Sequence, residues 1–247
     1  MPEQRPGTGP APERARGEHT HSEPAGPPAT GAAGPFGGHA SVRRHSVRGQ
    51  ILDALRDALV GGDLVPGEIY SAPALGERFG VSATPVREAM QQLALEGAVQ
   101  VVPNRGFRVT ERGAGELAEL AEVRALIEVP VMLRLARTVT AEQWSALRPL
   151  ARATGVAAAV GDRAAYADSD RAFHRAVLAL AGNGQLVAIA EDLHRRSQWP
   201  LTGAPAPRQA DLVADAAEHS ALLDALIAQD LTAVQCLVRE HFTGAAG

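Results

Sequence analysis

The sequence predicts a mainly α-helical chain: an N-terminal winged helix-turn-helix of three helices plus a β-hairpin wing, followed by an all-α bundle of six or seven helices. Three observations predict it. Apolar residues recur at helical spacing through most of the chain beyond residue 42. One short segment, "AVQVVPNRGFRVTE", instead sets two β-branched runs on either side of turn residues. After "ERGAG" the strand signal vanishes. Residues 114–243 then read as helices broken near Thr138–Thr140, Val160–Gly161, Ala181–Asn183, "PLTGAPAPRQ" and Gln229–Asp230.

Residues 1–41 are dominated by Pro, Gly and Ala and cannot bury enough apolar surface to offset their ordering entropy, so a disordered tail is expected there. Order is expected from residue 42, with a winged helix-turn-helix domain over 42–112 and an all-α domain over 113–247. In "SVRRHSVRGQILDALRDALVGG", Val47, Ile51, Leu55, Ala58 and Leu59 share a helix face, and Gly61–Gly62 end the run. "DLVPGEIY" reads as a turn and "SAPALGERFG" as a short second helix. In "VSATPVREAMQQLALEG" the inner stripe is Val86, Met90, Leu93 and Ala94. Ser82 or Thr84 can cap this third helix, and Pro85 falls in its first turn, where a missing N–H costs nothing. Pro-Asn-Arg-Gly is hairpin-turn chemistry. Pro130 and Pro149 interrupt helical patterns and predict kinks or local breaks.

Composition excludes several chemistries. All 24 residues in the Lys+Arg count are arginine, which rules out a Schiff-base lysine and a phosphate-loop lysine. The single cysteine, Cys236, excludes a disulfide framework or a thiolate zinc cluster, and its place on a helix predicts a buried or half-buried thiol. No run approaches a membrane span and the N-terminus lacks the apolar core of a signal peptide, so a cytoplasmic location and no membrane partner are expected.

Three helices followed by a wing put the third helix in a DNA major groove. Arginine there reaches guanine O6 and N7 together, and Arg87 is the residue expected to read bases. Ser82, Thr84, Arg78 and, at the wing tip, Arg105 with Gly106 are the other candidate contacts. Residues 43–112 carry nine arginines against eight acids, a net of +1, so clustering and not net charge must supply the attraction.

The turn "GDLVPG", the run "FGVSATPVREAMQQL", the following "EG" and the wing "PNRGFRV" closely resemble the winged-helix domain of the GntR superfamily of bacterial transcription regulators. Two positions depart from that pattern. Ala83 stands where the family usually has arginine, and Pro73 where many members have a DNA-contacting basic residue. The resemblance therefore implies operator binding with fewer contacts and an altered operator preference.

In the helical half, Asp170 and His174 lie one turn apart on the stripe of Val177, Leu178 and Ala181. His219 falls on the apolar face of Leu212, Ala216, Leu223 and Leu226, and His241 on that of Val234, Leu237 and Val238. Any one of these alone reads better as a satisfied core residue. Four together, if unpartnered, would be costly to bury, and a divalent cation satisfies all four at once. Three imidazoles and a carboxylate suit zinc and accept nickel, manganese or iron. A hydrogen-bonded core network is the competing reading. His194, beside Arg195 and Arg196, has no clear place.

"VRALIEVPVMLRLA", "DRAFHRAVLALAGN" and "EHSALLDALIAQDLTAVQCLVREHF" resemble the FCD ligand-binding domain of the FadR-like branch of the same superfamily. That resemblance implies Asp170, His174, His219 and His241 as the metal ligands, Asn183 as a helix cap, and a small organic or sugar acid as effector. Arg124, Arg195 and Arg196 are the candidate clamps for its carboxylate. An Arg124–Glu128 pair along one helix is an equal reading for the first.

Together these imply a regulator that is not an enzyme. A homodimer would bind a short inverted repeat in double-stranded DNA, as a repressor released by the effector. Two alternatives stand beside it: a metal-dependent enzyme fused to a DNA-binding head, which would need a general base beside the cation, and a regulator whose metal is structural only.

Overall fold

The computed structural model describes residues 47–244, so the expected tail over 1–41 and the expected start of order at 42 lie outside the described residues. Helix α1 (Val47–Gly61) is followed by strand β1 (Ile69–Tyr70), helices α2 (Ala72–Phe79) and α3 (Ala83–Leu95), and strands β2 (Val99–Val102) and β3 (Gly106–Val109). The strands form one antiparallel sheet in the order β1-β3-β2. Its register pairs Val99 with Val109 and Val102 with Gly106 across the hairpin, and Tyr70 with Phe107 on the other side. The third strand, inside the predicted turn, is two residues long and too short to show a period in sequence.

Local chemistry explains each element. Ser71 caps α2 through its hydroxyl, and Gly80 ends it in the left-handed conformation. At the tight turn into α3, a Cβ on Gly76 would lie 2.8 Å from the Val81 carbonyl oxygen, so only glycine lets these elements approach. Leu55, Leu59, Val86, Met90 and Leu93 converge with Phe107 and Val109 in the core of this head. Trp199, from the far end of the chain, belongs to the same cluster.

Seven further helices are described: α4 (Ala114–Thr138), α5 (Ala141–Ser145), α6 (Arg148–Val160), α7 (Arg163–Ala179), α8 (Gly184–Ser197), α9 (Gln209–Ile227) and α10 (Leu231–Gly244). Helix α4 runs unbroken through Pro130, whereas Pro149 sits in the first turn of α6, just after a break the periodicity did not announce. Thr140 and Gln143 form a capping box at α5, and the Asn183 side chain accepts from two backbone N–H groups at the start of α8. Trp144, Phe173, Leu223, Leu226 and Val234 anchor the bundle core. Helix α6 packs on α7 and α9, and α10 on α4 and α9.

Cys236 is exposed, contrary to the buried or half-buried thiol expected. Val234 and Val238 take the inward stripe of α10, and a residue midway between them points to the opposite side. None of the described helices is long and apolar enough to cross a membrane.

Gly106 has φ +131°, and a Cβ there would meet the Tyr70 carbonyl oxygen at 2.3 Å. Gly106→Ala is expected to cost about 1–3 kcal/mol of stability through strain and the β1–β3 pairing it would disturb. Chemical denaturation of the full chain reads this directly.

Candidate DNA-reading surface and candidate metal centre

Helix α3 buries Val86, Met90 and Leu93 against α1 and α2, which turns Arg87 outward. Arg87 is exposed and, with Arg105 and Arg108, makes no ion pair among the described residues. Ser82 is the N-cap residue of α3 but its hydroxyl makes no capping bond, and Thr84 is exposed beside it. Since α3 begins at Ala83, Arg87 stands just past the first turn. Arg78 is tied to Asp63 at 3.0 Å, a partner that any phosphate contact would have to replace. Gly106 pairs with Val102 where the hairpin turn closes, beside Arg105, which is exposed at the wing tip. Arg108, exposed on β3 opposite Gln100, extends this basic edge. Its outward position in a four-residue alternating strand was the signal that could have marked it.

The bundle brings Asp170, His174 and His219 together in its interior, with His241 half-buried at the edge. One triad of close donor atoms is His174, His219 and His241, and a second is Asp170, His174 and His194, each with its atoms within 4.8 Å. Asp170 Oδ1 stands 3.5 Å from His174 Nε2 and 3.4 Å from His219 Nε2. Both of those nitrogens are buried without a hydrogen-bond partner.

The outer nitrogen of each imidazole explains why. Thr154 donates its hydroxyl proton to the Ala151 carbonyl at 2.7 Å, so at His219 Nδ1, 3.4 Å away, it can only accept. His241 Nδ1 lies 2.9 Å from a Glu218 carboxylate oxygen, and His174 Nδ1 lies 3.4 Å from Glu128 Oε2. Each outer nitrogen thus faces an acceptor and is the one placed to carry the proton, His219 and His241 at hydrogen-bond distance and His174 in a looser contact. In a neutral imidazole that leaves the lone pair on Nε2. His174 and His219 then aim bare nitrogens at a carboxylate oxygen: acceptor against acceptor, with no donor between them.

The electrostatics agree. Burial holds His219 neutral, with its pKa lowered to about 3, and His174 nearby adds to the effect. Burial would neutralise Asp170, but His194, hydrogen-bonded to it, keeps its carboxyl well below the usual range. Glu128 likewise stays ionised, its pKa lowered to about 2 as the His174 contact and the Arg124 guanidinium outweigh burial. A negative centre ringed by lone pairs is the chemistry of a cation site. Donors about 3.4 Å apart can share one ion with bonds of about 2.1 Å. The residues fit a divalent ion.

His194 is different, and sequence reasoning left it unplaced. It is buried on α8, its pKa lowered to about 4 by burial, with its Nε2 2.8 Å from Asp170 Oδ2. Facing a carboxylate at that distance, Nε2 carries the proton and donates. Gln198 Nε2 donates to the same oxygen at 2.8 Å. Of the predicted clamps, Arg124 is buried beside the site, bound to Glu128 at 2.8 Å and to Ser197, with Nη2 lacking a hydrogen-bond partner. Arg195 and Arg196 turn away from it, towards Glu96 and Asp192. They sit one and two residues past His194, whose position on α8 takes the inward face.

Residues 119–244 match the family described as "FCD domain", and residues 47–109 the family "Bacterial regulatory proteins, gntR family". The chain is 29% identical over 201 residues to a "Probable D-xylose utilization operon transcriptional repressor" of Paenarthrobacter nicotinovorans, covering 81% of this chain and 87% of that protein. It is 29% identical over 140 residues to the "HTH-type transcriptional regulator McbR" of Escherichia coli (strain K12), a match spanning 57% of this chain and 63% of McbR. The solved structure of E. coli McbR/YncC superposes with a TM-score of 0.65 at 27% identity, over 81% of this chain and 94% of that one.

Thr154 is the acceptor that sets the protonation of His219. Thr154→Val leaves a buried Nδ1–H unpaired and is expected to cost about 1–3 kcal/mol, visible as a lower urea midpoint in chelator-treated protein.

Proposed function

The chain belongs to the gntR family of bacterial regulatory proteins, in the group that carries an FCD domain, and is a DNA-binding transcription regulator and not an enzyme; from that premise we propose that it is a repressor released from DNA by a small carboxylate effector bound beside a divalent cation in the bundle. One observation carries the reading. Asp170 Oδ1 and the buried Nε2 atoms of His174 and His219 face one another with no donor between them. Asp170, His174, His219 and His241 would hold the cation, with zinc the first expectation and nickel, manganese or iron accepted by the same donors. Such an ion would supply a Lewis-acidic partner for a carboxylate oxygen of an organic or sugar acid.

The chain's own residues would do the rest. Glu128, Glu218 and Thr154 hold the imidazole tautomers, and the spare Nη2 of Arg124 supports a role as clamp for the effector's second oxygen. On the DNA side, the exposed, unpaired Arg87 supports base reading, with Ser82, Thr84, Arg105, Gly106 and Arg108 on the flanking backbone and Arg78 after release from Asp63. A cytoplasmic homodimer would place one α3 in each half of an inverted repeat.

Elemental mass spectrometry of purified protein is expected to find close to one divalent metal per chain, lost in His219→Ala. Metal absent from both, with no change in melting temperature on adding zinc or nickel, would sink the cation and leave a hydrogen-bonded core. If metal is present, a panel of small organic and sugar acids should release DNA only from metal-loaded protein; release that ignores metal points to a structural ion. Arg87→Ala should weaken binding to the operator recovered by selection by about 1–3 kcal/mol, roughly tenfold or more, with specificity relaxed at one base pair.

A further inference from the structure

Six consecutive residues at the end of α8, His194 to Trp199, touch both the candidate metal centre and the DNA-binding head. Towards the site, His194 and Gln198 each donate to Asp170 Oδ2 at 2.8 Å, leaving Oδ1 to face His174 and His219. Gln198 is itself fully engaged. It also donates to the Ala167 carbonyl at 3.1 Å and accepts from Arg171 at 2.6 Å. Asp170 is therefore divided between two duties, one oxygen held by α8 and the other turned to the bare imidazole nitrogens.

Towards the head, Arg195 pairs with Glu96, the residue that ends α3, at 3.4 Å. The same carboxylate takes Arg56 of α1 at 2.5 Å. Trp199 is buried in the head's core cluster, and Arg112 lies 4.4 Å over its ring while donating to the Arg196 carbonyl. Thr202 closes the contact with a backbone bond to Arg112 at 2.9 Å. No flexible spacer separates these contacts: residues 194 and 198 face the carboxylate, and residues 195 and 199 face the head.

We propose that His194 and Gln198 are positioning residues for Asp170, and that the turn they occupy carries the state of that carboxylate to the end of α3 through Arg195 and Trp199. The proposal rests on the cation reading for what changes the state of Asp170, but not for the path. Whatever draws Asp170 towards His174 and His219 loads its two bonds to α8. A buried donor that loses its acceptor is costly, so the turn follows instead of letting go. Close-packed segments shift between discrete arrangements and do not stretch, so Trp199 and Arg195 move with it. Coupling of this kind acts in both directions: DNA held by α3 would alter metal affinity by the same factor.

Hydrogen exchange of the full chain tests the path, read on the peptide spanning residues 92–99, whose Gly97 and Ala98 amides bond back to α3. Zinc added to metal-free protein is expected to change exchange there at least threefold. In Arg195→Ala, zinc should bind with unchanged affinity while that response disappears. Positioning is read separately, through the visible spectrum and affinity of bound cobalt(II). His194→Ala should lose about 10–100-fold in affinity and shift the spectrum, and His194→Gln, which keeps a donor, should recover part of both. Zinc that binds without altering residues 92–99, or an undiminished response in Arg195→Ala, overturns the proposal. Should no zinc bind, the cation reading fails by itself, and Asp170→Asn against wild type decides the path. Altered exchange at 92–99 in that variant upholds it and identical exchange overturns it.

Discussion

A carboxylate that stays charged inside a helical bundle is the constraint around which this half of the molecule is arranged. Asp170 is buried yet held well below its usual pKa, which demands compensating partners from every neighbouring helix. The donors come from α8 and its C-cap, where His194 and Gln198 both reach Oδ2, while the imidazoles of α7 and α9 stand against Oδ1 with Glu128 and Arg124 of α4 one step further out. Outward from the centre, acids and bases alternate: Asp170, His174, Glu128, Arg124. Each acidic member would be prohibitively costly alone, and each is tolerable because the next is present. Helix spacing and helix packing are both subordinate to that sequence of charges.

The same arrangement explains why histidine and not another base surrounds the carboxylate. A permanent cation would neutralise Asp170 outright and leave nothing for a ligand to gain. An imidazole whose outer N–H points at Thr154, Glu218 or Glu128 as acceptor presents an unshared pair to the interior. The site is negatively charged and desolvated, the environment that the proposed cation would need. The head follows the opposite design. Among the described residues, its arginines are exposed and make no ion pair where α3 and the wing meet solvent, and are paired where they touch the bundle.

Much of this was legible in the sequence, and the rest was hidden for identifiable reasons. The inner stripes of α1 and α3 stood out because every apolar residue kept one helical period, and Pro-Asn-Arg-Gly named the hairpin turn. Asp170 and His174 were legible as a pair because four-residue spacing puts them on one face, and His219 and His241 because each continues an apolar stripe. His194 was obscured by Arg195 and Arg196, which make α8 read as a polar end although only every third or fourth residue turns inward. Strand β1 was too short to show alternation. Cys236 was misjudged because helix membership was weighed without asking which face Val234 and Val238 had already taken. Arg124 offered two readings, and the Glu128 pair is present while the guanidinium still keeps one spare donor. The partners of Arg195 and Trp199 in the head lie about ninety or more residues away along the chain, a separation at which no local pattern carries information.

Trp199 bears on how such proteins can be recombined. By chain order the head ends before α4, yet its hydrophobic cluster is closed by an indole that the chain supplies only after five more helices. A head excised at its apparent linker would leave that socket open to water, and one grafted onto a foreign bundle would meet a side chain shaped for another socket. In this chain the two halves are thereby packed as one unit, even where each half resembles a portable module.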